Sequence, residues 1–215
     1  MLHSDSLFIF LEIVVFTVAL FFHLANRNKS LVFGYILQSL TVSAILLIIA
    51  GIDSFELFAP AILTFLVKTV IAPLFFFRLV RRHQIIFSGT TYLSTPLTFI
   101  VIFLLTALSF STLFSPLTAL SDHAATIPFG LATLFISLFL LINRKGALSQ
   151  IIGILSMENA IVTTAAFLGL EGNLVLELGI AFDIIVWVTI ASVFVALVYK
   201  QFGTLDVSEM KQLKE

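Results

Sequence analysis

Apolar runs of roughly 20 residues recur along this chain, each long enough to cross a ~30 Å hydrocarbon core as a helix. They lie near residues 7–25, 30–50, 57–79, 93–114, 126–143, 150–170 and 174–200, and the breaks between them are short and polar, as in NRNK, GIDSFE, NRKG and EGN. The chain of 215 residues is 60% hydrophobic and only 11% charged, more apolar surface than a water-soluble domain of this size can hide. The expected fold is therefore an all-α polytopic membrane protein with seven transmembrane helices. Residues 1–125 would hold four of them, 126–200 the other three, and 201–215 a tail.

Orientation follows from the bases. Arg27 and Lys29 fall in the first break, Arg78, Arg81 and Arg82 in the third, Arg144 and Lys145 in the fifth, and Lys200, Lys211 and Lys214 at the end. With seven spans, these ten of the eleven Lys and Arg lie on one side. The alternate breaks carry Asp53, Glu56, Asp122 and Glu171 and no base. The excess of Lys and Arg in cytoplasmic loops then puts the N-terminus outside and the C-terminus in the cytoplasm.

The eleventh base is Lys68, in the middle of FAPAILTFLVKTVIAPLFFF. Acids also interrupt the apolar runs. Glu158 stands beside Asn159 in the sixth, and Glu177 and Asp183 lie in the seventh. A charge near the bilayer centre costs roughly 2.5–3.5 kcal/mol on insertion scales, and such residues mark ion or proton paths. At a rise of ~1.5 Å per residue, Lys68 lies about 15 Å from the outer end of its span, Glu158 about 18 Å and Asp183 about 14 Å. Gln38 falls near the same level, which makes a lateral polar row across the midplane feasible. Glu12 and Glu177 come out only roughly 5–8 Å below the outer surface by the same rise, where snorkelling to the headgroups accounts for a carboxylate.

Each of these residues also has a plainer explanation. Glu158 with Asn159 can serve as a hydrogen-bonded clamp between helices, and Asp183 as the counter-ion of Lys68. Pro73 cannot donate to the carbonyl of Thr69, so that carbonyl needs another partner. Trp187 and the 24 phenylalanines are packing bulk, while Gly153 and Gly179 suit close helix approach.

Other chemistry is excluded by what the sequence lacks. The chain has no cysteine, which removes iron–sulfur ligation, thiolate zinc sites, disulfides and thiol nucleophiles. His3, His23, His83 and His123 are scattered singly, a pattern of interfacial or loop histidines rather than metal ligands. No phosphate-binding loop, nucleotide fingerprint or nucleophile motif occurs, and a net charge of −1 argues against a nucleic-acid partner. The start, MLHSDSLFIFLEIVVF, lacks a basic flank and a small-residue cleavage site and reads as a first span.

At SQIIGILSMENA and LELGIAFDIIVWV…GTLDVSEMKQLK the chain resembles component E of hydrogenase-4 and formate hydrogenlyase-type membrane arms. Its last three spans are also similar to the small K subunit of bacterial complex I. That subunit has a key glutamate in its second span, another in its third, and a tail with a similar Asp-x-x-Ser-Glu-type phrase. By position, Glu158 matches the first glutamate, and Asp183, one methylene shorter, matches the second. KTVIAP around Lys68 resembles the lysine-to-proline segment of component E.

The resemblance implies a non-redox subunit of a proton- or sodium-pumping complex in a bacterial or archaeal plasma membrane. Its partners would be antiporter-like membrane subunits and a soluble redox arm. Nickel–iron and iron–sulfur centres would belong to those partners, and this chain would hold no cofactor. Glu158, Lys68 and Asp183 would carry the relay, with Glu177, Glu12 and Gln38 as lesser members. Two other readings stand beside it. A self-sufficient solute or cation transporter would carry an inverted internal repeat, and no such symmetry relates 1–110 to 111–215. A structural scaffold would use the acids only as helix clamps.

Overall fold

The computed structural model describes residues 2–50, 61–62, 65–82 and 90–169, together with 192, 195–196, 198–200 and 203. Helix α1 runs Leu2–Leu24 and α2 Asn28–Ala50. A seven-residue π-helix, Phe65–Ile71, leads directly into α3, Ala72–Arg82. Helix α4 is Thr95–Ser109, α5 Ile127–Asn143 and α6 Ala147–Phe167. No strand is formed among the described residues; Thr91 and Arg144 make one isolated bridge.

Helices α1, α2, α6 and α5 form a closed ring in which each packs on the next. Both short connections of this ring, α1 to α2 and α5 to α6, join antiparallel neighbours. The closest approach is between α5 and α6. A Cβ on Gly153 would meet Leu141 N at 3.2 Å and Ser137 O at 3.3 Å, so glycine lets one backbone rest on the other. The π-helix and α3 lie against α2, and α4 lies against α5. The core is apolar and large-chained, with Phe22, Leu31, Tyr35, Phe76, Leu140 and Ile152 buried together.

Among the described residues, three helices are long and apolar enough to cross a membrane: Asp5–Leu24, Asn28–Ala50 and Ala147–Phe167. The expected run 93–114 is shorter as a helix than as an apolar stretch. It ends at Ser109, and Thr95–Ser109 with Thr112–Thr118 forms a pair bent by 43°. Thr106 and Ser109 turn their hydroxyls back onto the carbonyls of Ile102 and Thr106, a habit that weakens and bends a helix end. Extended backbone at Ser111 then separates α4 from a 3-10 turn, Thr112–Phe114, and a short helical turn, Ser115–Thr118, with Pro116 in its first positions. The expected run 57–79 is interrupted likewise, by π geometry over Phe65–Ile71. Pro73 is the second residue of α3 and, having no N–H, donates to no carbonyl of the π-helix that leads into it. Helix α5 spans 17 residues, or about 25 Å at the helical rise.

The two ends of the ring differ in charge. At one end lie Arg27 and Lys29, the end of α3 with Arg78 and Arg81, and the α5–α6 connection with Arg144 and Lys145. Hydrogen bonds from Tyr92 N to Asn143 O (2.9 Å), Leu93 N to Asn143 Oδ1 (3.0 Å) and Lys145 N to Thr90 O (3.0 Å) tie the start of α4 to that end. At the other end His123 Nδ1 meets Asp5 Oδ1 at 2.8 Å. Ser121 Oγ donates there to Phe167 O at 2.5 Å, serving a carbonyl at the end of α6.

Arg144 does more than add charge. It is 2% exposed, and its Nη2 donates to Phe22 O (2.8 Å), His23 O (2.8 Å) and Ala25 O (2.9 Å). Those carbonyls close α1, so the guanidinium caps the negative end of that helix. The sequence reading counts Arg144 as a loop charge; in the structure it is a buried cap.

Candidate functional site

The π-helix places Lys68. Such wide turns are short, and they recur at functional positions because they re-aim one side chain. Here Lys68 points into the bundle and is 0% exposed. Its Nζ lies 3.1 Å from Glu158 Oε1 and donates to Asn159 Oδ1 at 3.0 Å. A buried ammonium at this depth is stable only if its charge is matched and its protons are taken, and these two neighbouring residues of α6 do both.

Asn159 is the hub. It is 0% exposed, and its Nδ2 donates to Gln38 Oε1 at 3.2 Å and to Ser39 Oγ at 3.3 Å. Gln38 Nε2 donates in turn to Ser156 Oγ at 2.9 Å and to Val15 O at 3.3 Å. Ser156 and Ser137 hydroxyls meet at 2.7 Å. One connected polar network thus joins the π-helix to α1, α2, α5 and α6. The side chain of Glu158 is 24% exposed, whereas Lys68 and Asn159 are fully buried.

Of the residues expected at one level, Lys68 and Glu158 come together, and Gln38 joins them through Asn159. Lys68 pairs with Glu158. Asp183 and Glu177 lie outside the described residues, as do Trp187 and Gly179.

Glu12 is placed differently from expectation. It is 0% exposed and faces the interior, so snorkelling does not describe it. Depth along a span carries no rotation about its axis, and this face of α1 points at α5 and α6. Thr163 Oγ1 donates to Glu12 Oε1 at 3.1 Å. Thr163 follows Asn159 by four residues on α6, which puts Glu12 about one helical turn from the hub. Gly130 of α5 makes the room: a Cβ there would lie 2.3 Å from Thr164 Oγ1 and 3.2 Å from Glu12 Oε1.

Ser39, Ser137, Ser156, Thr163 and Gly130 are the residues that sequence reasoning passed over. A signal existed for part of this set. Ser149, Ser156, Asn159 and Thr163 recur at three- to seven-residue intervals in α6 and all lie on its buried face. Histidine behaves as expected at His123, a loop residue paired with Asp5. His23 instead ends α1 in a buried position, donating from Nε2 to Ile136 O at 3.1 Å and stacking on Phe139. No group of three or more His, Asp or Glu suited to a metal ion occurs among the described residues.

Comparison with known proteins adds little. No family model matches the chain. The uncharacterized protein Rv0085 of Mycobacterium tuberculosis is 30% identical over 89 residues, which are 41% of this chain and 40% of that protein. The match therefore spans about two fifths of the relative's length. No solved structure matches.

Proposed function

We propose that this chain is a non-redox membrane subunit of an energy-converting oxidoreductase complex, of the hydrogenase-4, formate hydrogenlyase or complex I-like kind. It spans the membrane seven times, with the N-terminus outside and the C-terminus in the cytoplasm. Its buried charges take part in moving protons or sodium ions. The redox centres, nickel–iron and iron–sulfur, belong to soluble partner subunits, and antiporter-like subunits adjoin it in the membrane.

One observation carries the reading: a fully buried lysine on a π-helix, 3.1 Å from a partly exposed glutamate and bonded to the asparagine beside it. A lysine and a carboxyl so close share a titration that belongs to the pair rather than to either residue. Exchange of one proton between them takes the site from two charges to none, so a small change in a neighbouring subunit tips it. Serine hydroxyls both donate and accept, so Ser156 and Ser137 extend the hydrogen-bonded path to α5. The clustering of bases at one end of the bundle supports the orientation.

A structural reading is favoured by a different observation, that Asn159 alone bonds the π-helix and two residues of α2. Ion pumping by the reconstituted complex, measured in proteoliposomes beside redox turnover, separates the two. Glu158→Gln keeps shape and hydrogen bonding but removes the exchangeable charge. The complex should assemble and turn over yet lose ion coupling. Full pumping by that variant would replace the relay with a clamp.

A further inference from the structure

At the basic end of the bundle, α2 and α3 enclose an open groove of about 1120 Å³. It is larger than the roughly 300–1,000 Å³ of ordinary small-molecule clefts. Its walls are Phe33 on α2 and Ile71, Leu74, Phe75 and Phe77 on the other side. Phe33 and Phe77 meet edge to face at 5.1 Å, and Phe33 and Leu74 are 61% and 64% exposed. Its rim is cationic. Lys29 stands in the first turn of α2, and Arg78 and Arg81 in the last two turns of α3, so all three line one end of the groove. None of the three has an ion-pair partner among the described residues.

We propose that this groove is a binding site for an anionic phospholipid. The phosphate sits among Lys29, Arg78 and Arg81, and an acyl chain lies along Phe33, Leu74 and Phe77. The charge complementarity is specific in kind. Two guanidinium forks and an ammonium suit phosphate oxygens, and basic pockets between helices at the cytoplasmic surface take anionic head groups. Apolar walls continuing inward from that rim match the two-part chemistry of a lipid and not that of a free anion. The proposal rests on the reading that the chain spans a membrane, with its basic end at the headgroup level. It requires neither ion coupling nor redox partners.

The test is native mass spectrometry of the full chain, with its co-purifying partners, released from detergent in equal amounts of dioleoylphosphatidylglycerol and dioleoylphosphatidylcholine. Phosphatidylglycerol should be retained preferentially, and millimolar inorganic phosphate should not displace it. Replacing Lys29, Arg78 and Arg81 by glutamine should lower retention about five-fold for each cation removed. Arg78→Lys with Arg81→Lys, which keeps the charge, should retain most of it and shows that the surface still folds. Glu158→Gln should bind lipid as wild type does, so loss of coupling and loss of lipid are read separately. Equal retention of both lipids, displacement by phosphate alone, or undiminished phosphatidylglycerol on the triple glutamine variant would overturn the site. So would equal lipid retention combined with loss of a protein partner from the triple variant, which would assign the groove to an acidic protein segment.

Discussion

Asn159 matters to stability through the partners that its loss would strand. Interhelical hydrogen bonds inside membranes are worth only about 0.6 kcal/mol on average, so losing the bonds themselves is minor. Stranding their partners is not: a buried polar group without a partner costs about 1–3 kcal/mol. Asn159→Ala removes an acceptor from Lys68 and a donor from Gln38 and Ser39, each of which is 0% exposed. We expect a loss of about 2–5 kcal/mol, read as a lowered melting temperature in detergent. Glu158→Gln keeps an acceptor beside Lys68 but removes the charge that matches the buried ammonium, so it should also melt below wild type. If Asn159→Ala melts like wild type, the network does not hold the helices.

Among the elements, α1 depends on a residue far along the chain. The three carbonyls at its end are served by Arg144, and hydrogen bonds to charged groups contribute about 1.5–3 kcal/mol each, with less than full additivity. Lys145, its neighbour, reaches only the Tyr92 ring, 5.0 Å from the centroid, a contact worth about 0.5–1 kcal/mol at a surface. Arg144→Ala should therefore lower the melting temperature several-fold more than Lys145→Ala, measured side by side. The opposite order would mean that the cap is not what closes α1. The π-helix is the other element that matters, because it alone turns Lys68 toward α6.

For the whole molecule, topology can be tested directly because the chain lacks cysteine. Lys29 and Asp122 are both exposed and belong to opposite ends of the bundle. A membrane-impermeant maleimide applied outside intact cells should label Asp122→Cys and spare Lys29→Cys, which reacts only after permeabilisation. Labelling of both from outside would break the proposed orientation. Part of this architecture was legible in the sequence: run length marked α1, α2, α5 and α6, while most of the run 174–200 lies outside the described residues. Depth carries no rotation, however, so the inward face of Glu12 was not readable. Nor does an apolar run announce a π turn or an end at Ser109, because both depend on local hydrogen bonding rather than hydropathy. Arg144 was counted as a loop charge because burial of a base against distant carbonyls leaves no local pattern.

That cap also orders events in time. Arg144 reaches back across 119–122 residues to the end of α1. A ribosome adding ~5–20 residues per second takes about 6–24 s to cover that stretch. The first helix to leave the ribosome therefore waits for the fifth before its end can be closed. Before it docks, the guanidinium is a positive charge which, in the proposed orientation, can hold its connection on the cytoplasmic side. In that orientation the same side chain first helps decide which way the chain threads and afterwards ties the end of α1 to the α5–α6 connection.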